Sequence, residues 1–372
     1  MQIHNLSESE DTRVMEEAFR LNNSNINIGH AGTAMRFLTA YLSVCPGEWI
    51  LTGSERMKNR PIAKLVDALR QIGANIEYSE KTGYPPLKIK GGQLKGGEVE
   101  IDGSISSQYI SALLMIAPVL PQGLKVKLNN EIISSSYIRL TLGLMKKCGI
   151  ESNWTGNQIN IPHQQFVPAD LTVEADWSAA SYWYEVVALS KNAEIHIEGL
   201  QEDSLQGDSA IWPLFETLGV STEFKEGGAT LSKTTTTATS IEYNFIDIPD
   251  MVQTFAVTLS LLGIPFAFTG AQSLRIKETD RITALQNELG KMGVNLHYKD
   301  AGILSWKGAE ALRLNHVPIF RTYEDHRMAL SLAPICLRTG EVIIENPDVV
   351  VKSYPSFWGE MKKLGFGVIP AK

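Results

Sequence analysis

The sequence predicts an α/β (α+β) chain of two similar domains, each of three repeated β/α units with one inner and one outer helix, the first unit being incomplete. Three observations predict it. An amphipathic helix that ends in an apolar–Gly pair before a short alternating strand recurs, with its glycines at Gly73, Gly149, Gly219, Gly293 and Gly365, spaced 76, 70, 74 and 72 residues apart. A strand, a polar or glycine-bearing turn and a helix of small apolar residues recur at the same period. Their turn residues Gly32, Ser106, Ser178, Asp250 and His326 lie 74, 72, 72 and 76 residues apart. Finally, the two series differ in number: with 11–21 (DTRVMEEAFRL) as an opening outer helix, six outer helices face five inner ones. The expectation is a chain that begins within a unit.

Each element has a local reason. RPIAKLVDALRQIGANIEY, TDRITALQNELGKMGVNLHY and their counterparts carry Leu, Ile and Ala at helical spacing on one stripe, the pattern of a helix with one face in solvent. The closing glycine suits a left-handed residue just past the helix. GHAGTAMRFLTAYL, DGSISSQYISALLMIAP, ADWSAASYWYEVVAL, DIPDMVQTFAVTLSLLG and EDHRMALSLAPICL are small and apolar all round, as helices covered on every side must be. Grouping the units three and three places the domains at 1–173 and 174–372. GGQLKGGE at 91–98 reads as a flexible hairpin.

Composition narrows the function. With 44% hydrophobic and 20% charged residues the chain is globular, and its net charge of −7 argues against a nucleic-acid or anionic-membrane binder. Cys45, Cys148 and Cys336 sit in apolar segments at no metal-like spacing and read as core residues of a reducing compartment. The longest apolar runs fall short of the ~20 residues that a membrane span requires. Residues 1–13 are too acidic for a signal peptide, which gives a cytoplasmic expectation. No GxxxxGK[ST], no GxGxxG after a strand, no GxSxG and no HxxxH occurs, so neither a cofactor nor a metal is expected.

Candidate chemistry gathers in the turns. Gly32-Thr33 with Arg36, and Ser106-Ser107-Gln108, open inner helices, where free N–H groups favour an anion; plain helix capping is the alternative. Arg56, Lys58 and Arg60 precede one outer helix, and Arg275, Lys277, Glu278, Asp280 and Arg281 precede another. Each run is either a solvated charged face or an anion site. Asp250 is an N-cap or a general base. His326-Arg327 pairs a titratable ring with a fixed cation at an inner-helix start.

The segments AGTAMR, GSERMKNRPI, DGSISSQYISALL, ISSSYIRLTL, DWSAASY, QGDS, IPDM, RIKETDR, DHRMA and VKSYPSF, in this order along the chain, resemble the 5-enolpyruvylshikimate-3-phosphate synthase family. The resemblance implies the enolpyruvyl transferase fold and transfer of the enolpyruvyl group of phosphoenolpyruvate to the 5-hydroxyl of shikimate-3-phosphate. It implies Gly32, Arg56, Gln108, Arg281, Arg327 and Lys352 for phosphoenolpyruvate, and Ser106, Ser107, Gln108, Ser134 and Tyr137 for shikimate-3-phosphate. Asp250 and Lys277 would stand at the attacking hydroxyl, and Glu278 and His326 beside the carbon that is protonated. The implied partners are these two small molecules, with no nucleic acid, membrane, cofactor or metal, and the chain is expected to be a monomer. His30 and Ser273 stand where the family often has Asn. The family's Pro-x-Ser-Lys-Ser-x-Ser-x-Arg segment is absent before the NLSESEDTRV stretch, so reduced activity is an expectation. Two other readings are a remnant that binds without turnover and a UDP-N-acetylglucosamine enolpyruvyl transferase; the latter's nucleotide-sugar site and loop Cys have no counterpart here.

Overall fold

A computed structural model describes residues 2–20, 23–225, 227–299, 301–308 and 316–370. The chain forms two compact units, Met1–Val173 and Glu174–Lys372.

Unit 1 holds two four-stranded sheets of one design. In the first, Asn25–Asn27 runs parallel to Gly47–Thr52, followed across the sheet by antiparallel Leu87–Gly91 and Asn75–Tyr78. In the second, Gly97–Asp102 and Leu124–Asn129 are the parallel pair, and Gln158–Ile161 and Asn153–Thr155 complete it. A parallel pair needs a crossover, and the inner helices Gly32–Val44 and Ser107–Ile116 supply it. The outer helices Ala63–Gln71 and Ser135–Lys147 then lead into the closing hairpins. Ile3–His4 pairs in parallel with Leu171–Thr172, and the opening outer helix runs Glu10–Phe19.

Unit 2 repeats the design in Ile241–Asn244, Phe266–Thr269, Ile303–Trp306 and His297–Lys299, with inner helix Val252–Leu262 and outer helix Arg281–Gly290. Its first sheet has three antiparallel strands, Glu194–Glu198, Gly228–Lys233 and Val220–Lys225, beside inner helix Trp177–Leu189 and outer helix Ile211–Thr217. The last inner and outer helices are His326–Leu332 and Phe357–Lys363.

The small-residue helices form the cores. Ala179 is the one residue of Trp177–Leu189 that is not buried, and all of Val252–Leu261 is buried. The five period-marking glycines all have positive φ, from +79° to +98°. At Gly219 a Cβ would also lie 2.8 Å from the Thr234 carbonyl oxygen, so only glycine fits that turn.

Two expectations are corrected. Residues 91–98 do not form a hairpin: they connect the last strand in sequence of one sheet to the first of the next, and buried Leu94 anchors the connector. The three cysteines are half-buried, without disulfides, because each lies at or just past a helix end where the apolar stripe meets the surface.

The inner helices also carry one unexpected ionisable group. Glu185 is completely buried in Trp177–Leu189 and neither carboxyl oxygen has a hydrogen-bond partner. Burial alone pushes its pKa well above the usual carboxylate range, so the fold favours its protonated form. An acid whose folded pKa is raised costs no stability below its unfolded pKa of ~4.3, and the cost grows as pH rises toward the folded value. Glu185→Gln therefore raises Tm at pH 7, by roughly 2–4 °C for each kcal/mol recovered, and the gap to the wild type closes near pH 4. Thermal melts from pH 4 to 8 measure it; a gap independent of pH contradicts the assignment.

Candidate active site

In unit 1 the sequence-selected turns meet at the openings of adjacent helices. Gln108 Nε2 donates to Thr33 Oγ1 at 3.0 Å, which joins the first turns of the two inner helices. Arg36 is buried, donates from Nη1 to the Gly32 carbonyl at 2.8 Å and lies over the Tyr109 ring. A Cβ on Gly32 would sit 2.6 Å from Arg60 Nη1 and 3.0 Å from Arg36 Nη1, so a side chain there would displace a guanidinium. Arg56 lies in the short helix Glu55–Lys58, whose cap Ser54 accepts from the Met57 N–H and bonds His30 Nδ1 at 3.0 Å.

Ser106 takes the N-cap place of Ser107–Ile116, but its hydroxyl does not cap the helix. Ser134, with a left-handed φ of +56°, does the same for Ser135–Lys147. That helix packs against Ser107–Ile116, and the Ser111–Thr141 hydroxyl pair at 2.8 Å fixes their register one turn below Ser107 and Tyr137. The capping alternative therefore fails at Ser106.

In unit 2 the residues singled out from sequence converge on one ion-pair network. Asp250 Oδ1 accepts from Arg281 Nη1 at 2.8 Å and lies 3.3 Å from Lys277 Nζ, while Oδ2 accepts from Arg327 Nη2 at 3.2 Å. Glu278 is shared between Arg281 Nη2 at 3.0 Å and Lys352 Nζ at 2.7 Å. Arg281 also grips Asp325, from Nε at 2.7 Å and from Nη2 at 3.3 Å. Arg327 reaches Ser178 Oγ and the Tyr182 hydroxyl, and the Ser178 hydroxyl donates to buried Asp208. The RIKETDR run is thus neither a solvated face nor a simple cap: Asp280 alone caps the helix, through the Thr283 N–H.

Asp250 is not a cap either. It sits in the 3₁₀ turn Pro249–Met251, ahead of helix Val252–Leu262, which has no side-chain cap. Burial pushes its pKa up, but Arg327, Lys277 and Arg281 outweigh burial and hold the carboxyl well below the usual range. Asp325, with no exposed surface, is likewise pulled down, by Arg281 against burial. Asp208 goes the other way: burial raises it to about 6, with Arg327 opposing and Asp250 reinforcing. His326 is driven down to about 3, first by burial and then by Lys352, so its ring is neutral at any physiological pH.

Asp325, Asp208 and Tyr182 escaped the sequence reading as site residues. Asp325 resembles an ordinary N-cap, a job it also performs by accepting the Arg327 N–H at 3.0 Å. Its grip on Arg281 spans 44 residues. For Asp208 and Tyr182 the only local signal was their place in QGDS and DWSAASY. Among the described residues no group of His, Cys, Asp and Glu is arranged to hold a metal ion.

A network of this composition can bind anions by exchange: a phosphate or carboxylate that takes over Arg327, Lys277 or Lys352 releases a carboxylate from its cation. Comparison with known proteins gives that capacity a context. The EPSP synthase (3-phosphoshikimate 1-carboxyvinyltransferase) family model matches residues 1–361. A 3-phosphoshikimate 1-carboxyvinyltransferase of Bacteroides fragilis (strain ATCC 25285) is 52% identical over 365 residues, 98% of this chain and 89% of the relative. One from Vibrio atlanticus is 38% identical, covering 91% of this chain and 78% of the relative. The fold is that of solved EPSP synthases from Acinetobacter baumannii, for instance one with a TM-score of 0.73 at 21% identity, over 97% of this chain and 89% of that one. By this match and these relatives, the chain belongs to the EPSP synthase family, the 3-phosphoshikimate 1-carboxyvinyltransferases.

Proposed function

We propose that this chain transfers the enolpyruvyl group of phosphoenolpyruvate to the 5-hydroxyl of shikimate-3-phosphate, releasing phosphate. The observation that carries the residue assignment is the Asp250 carboxylate held by Lys277, Arg281 and Arg327 within one network that also contains Glu278 and Lys352. Both substrates are anions, and the cations now neutralised by Asp250 and Glu278 are the groups they would take over. As Arg327 and Lys277 turn to substrate, Asp250 loses the charges that depress its pKa and becomes able to accept a proton.

On this reading the hydroxyl proton passes to Asp250 as its oxygen bonds to C2 of phosphoenolpyruvate, and C3 takes up a proton from the Glu278–Lys352 side, giving a tetrahedral intermediate. The C2–O bond to phosphate then breaks as C3 gives a proton back, which returns the alkene and frees phosphate. Lys277 steadies the developing alkoxide. His326, being neutral, orients ligand or shuttles a proton and adds no fixed charge.

Arg281 has four N–H bonds committed to Asp250, Glu278 and Asp325, so its service to phosphoenolpyruvate is chiefly the placing of those carboxylates, with Arg327 and Lys352 as the cations that meet the ligand. In unit 1, Ser106, Ser107, Gln108, Ser134 and Tyr137 take shikimate-3-phosphate. Gly32, Arg56 and Gln108 serve phosphoenolpyruvate. The chain is taken to work as a cytoplasmic monomer; among the described residues no helix is long and apolar enough to cross a membrane.

Phosphate release from phosphoenolpyruvate, measured with and without shikimate-3-phosphate, tests the activity: release that requires both supports it, and none under saturation by both refutes it. Asp250→Asn keeps the shape and removes the base, so kcat falls by about two to four orders of magnitude while the fold persists. A near-wild-type kcat would pass the role to another group, foremost Glu278 in the same network. Gly32→Ala pushes the Arg60 and Arg36 guanidinium groups from their places and weakens phosphoenolpyruvate binding more than shikimate-3-phosphate binding. Calorimetric titration separates the two, and equal losses would indicate a general folding defect.

A further inference from the structure

The turn that delivers Asp325, His326 and Arg327 has an unusual backbone. Tyr323 and Glu324 are consecutive residues with φ of +54° and +55°, a left-handed conformation that side-chained residues adopt at a cost. The turn closes on itself through the Asp325 N–H and the Thr322 carbonyl at 2.8 Å, and one neighbouring helix holds it at both ends. Arg281, at the start of Arg281–Gly290, takes Asp325. Two helical turns later Glu288, with no exposed surface, accepts the Tyr323 hydroxyl on Oε1 at 2.7 Å and the Arg321 N–H on Oε2 at 2.9 Å. Residues seven apart on a helix share a face, so a single rigid element sets the distance between the two grips. Lys291 Nζ, which also bonds the Ile319 carbonyl, balances the Glu288 charge, and Asn287 Nδ2 reaches the Tyr323 oxygen at 3.4 Å.

We propose that Glu288 and Tyr323 are positioning residues: as a clamp they keep residues 323–324 left-handed, so that Asp325 meets Arg281 and Arg327 meets Asp250. Neither touches the Asp250 network directly. Their effect passes through the turn, whose relaxation toward ordinary φ values would swing the first turn of His326–Leu332 away from Asp250. The catalytic part of this inference rests on the function proposed above; the backbone part stands without it.

The test compares four variants with the wild type. Tyr323→Phe removes one hydroxyl, and kcat with both substrates falls about tenfold, equivalent to ~1.4 kcal/mol, while shikimate-3-phosphate affinity, measured calorimetrically, and Tm hold. Adding Glu324→Gly, which has no side chain to oppose positive φ, restores most of the lost kcat. Glu288→Gln keeps an acceptor for both donors and retains most activity, whereas Glu288→Ala does not. Amide exchange across 321–327 rises in Tyr323→Phe while that of Val252–Leu262 stays unchanged. Unaltered exchange in that turn overturns the clamp whatever the enzyme does with its substrates. Folded Glu288→Gln as impaired as Glu288→Ala, or no recovery from Glu324→Gly, overturns it as well. A wild type without turnover strikes the proposed function instead, and the exchange result then decides the clamp.

Discussion

One guanidinium organises the ion-pair network of unit 2. Arg281 is 1% exposed and bonds carboxylates that come from residues 250, 278 and 325, each delivered by a different turn of unit 2. A buried cation is tolerable only when paired and hydrogen-bonded, and three carboxylates this close are tolerable only with a cation among them. Neither side of the arrangement is stable alone. Lys277, Arg327 and Lys352 then complete a near-balance of charge that anionic ligands can enter by exchange, with little new charge to desolvate.

The repeat explains how such a network could be assembled from so few signals. Gly32, Ser106, Ser178, Asp250 and His326 occupy equivalent places at or just before inner helices, yet each does something different. Gly32 lets guanidinium groups approach the backbone. Ser106 leaves a hydroxyl uncommitted to capping, and Ser178 links Arg327 to Asp208. Asp250 offers a carboxylate to three cations, while at the equivalent turn of the last unit Asp325 both caps and anchors and His326 is kept neutral. The scaffold places side chains at helix openings, and the residue chosen there decides the chemistry.

Much of this is legible in the sequence because it is local. The period-73 glycines announce left-handed turns, and all five have positive φ. The small-residue helices announce burial, and they are buried. What is not legible depends on partners far along the chain. Asp250 looks like a cap because nothing nearby reveals Arg281 and Arg327, 31 and 77 residues away. Residues 91–98 look like a hairpin because glycine marks a turn without saying which sheets it joins. Glu185 shows the converse: in an apolar helix its carboxyl is locally anomalous, and only the structure shows that no partner meets it.

The constraint is geometric: a planar fork holds three carboxylates where a point charge cannot. Arg281→Lys tests it most directly, because it keeps one positive charge and discards the fork. With phosphoenolpyruvate and shikimate-3-phosphate, and with folding verified by melting, kcat is lowered by at least about a hundredfold, the scale of loss that misplacement of catalytic groups by about 1 Å produces. A folded Arg281→Lys enzyme turning over at the wild-type rate would contradict it.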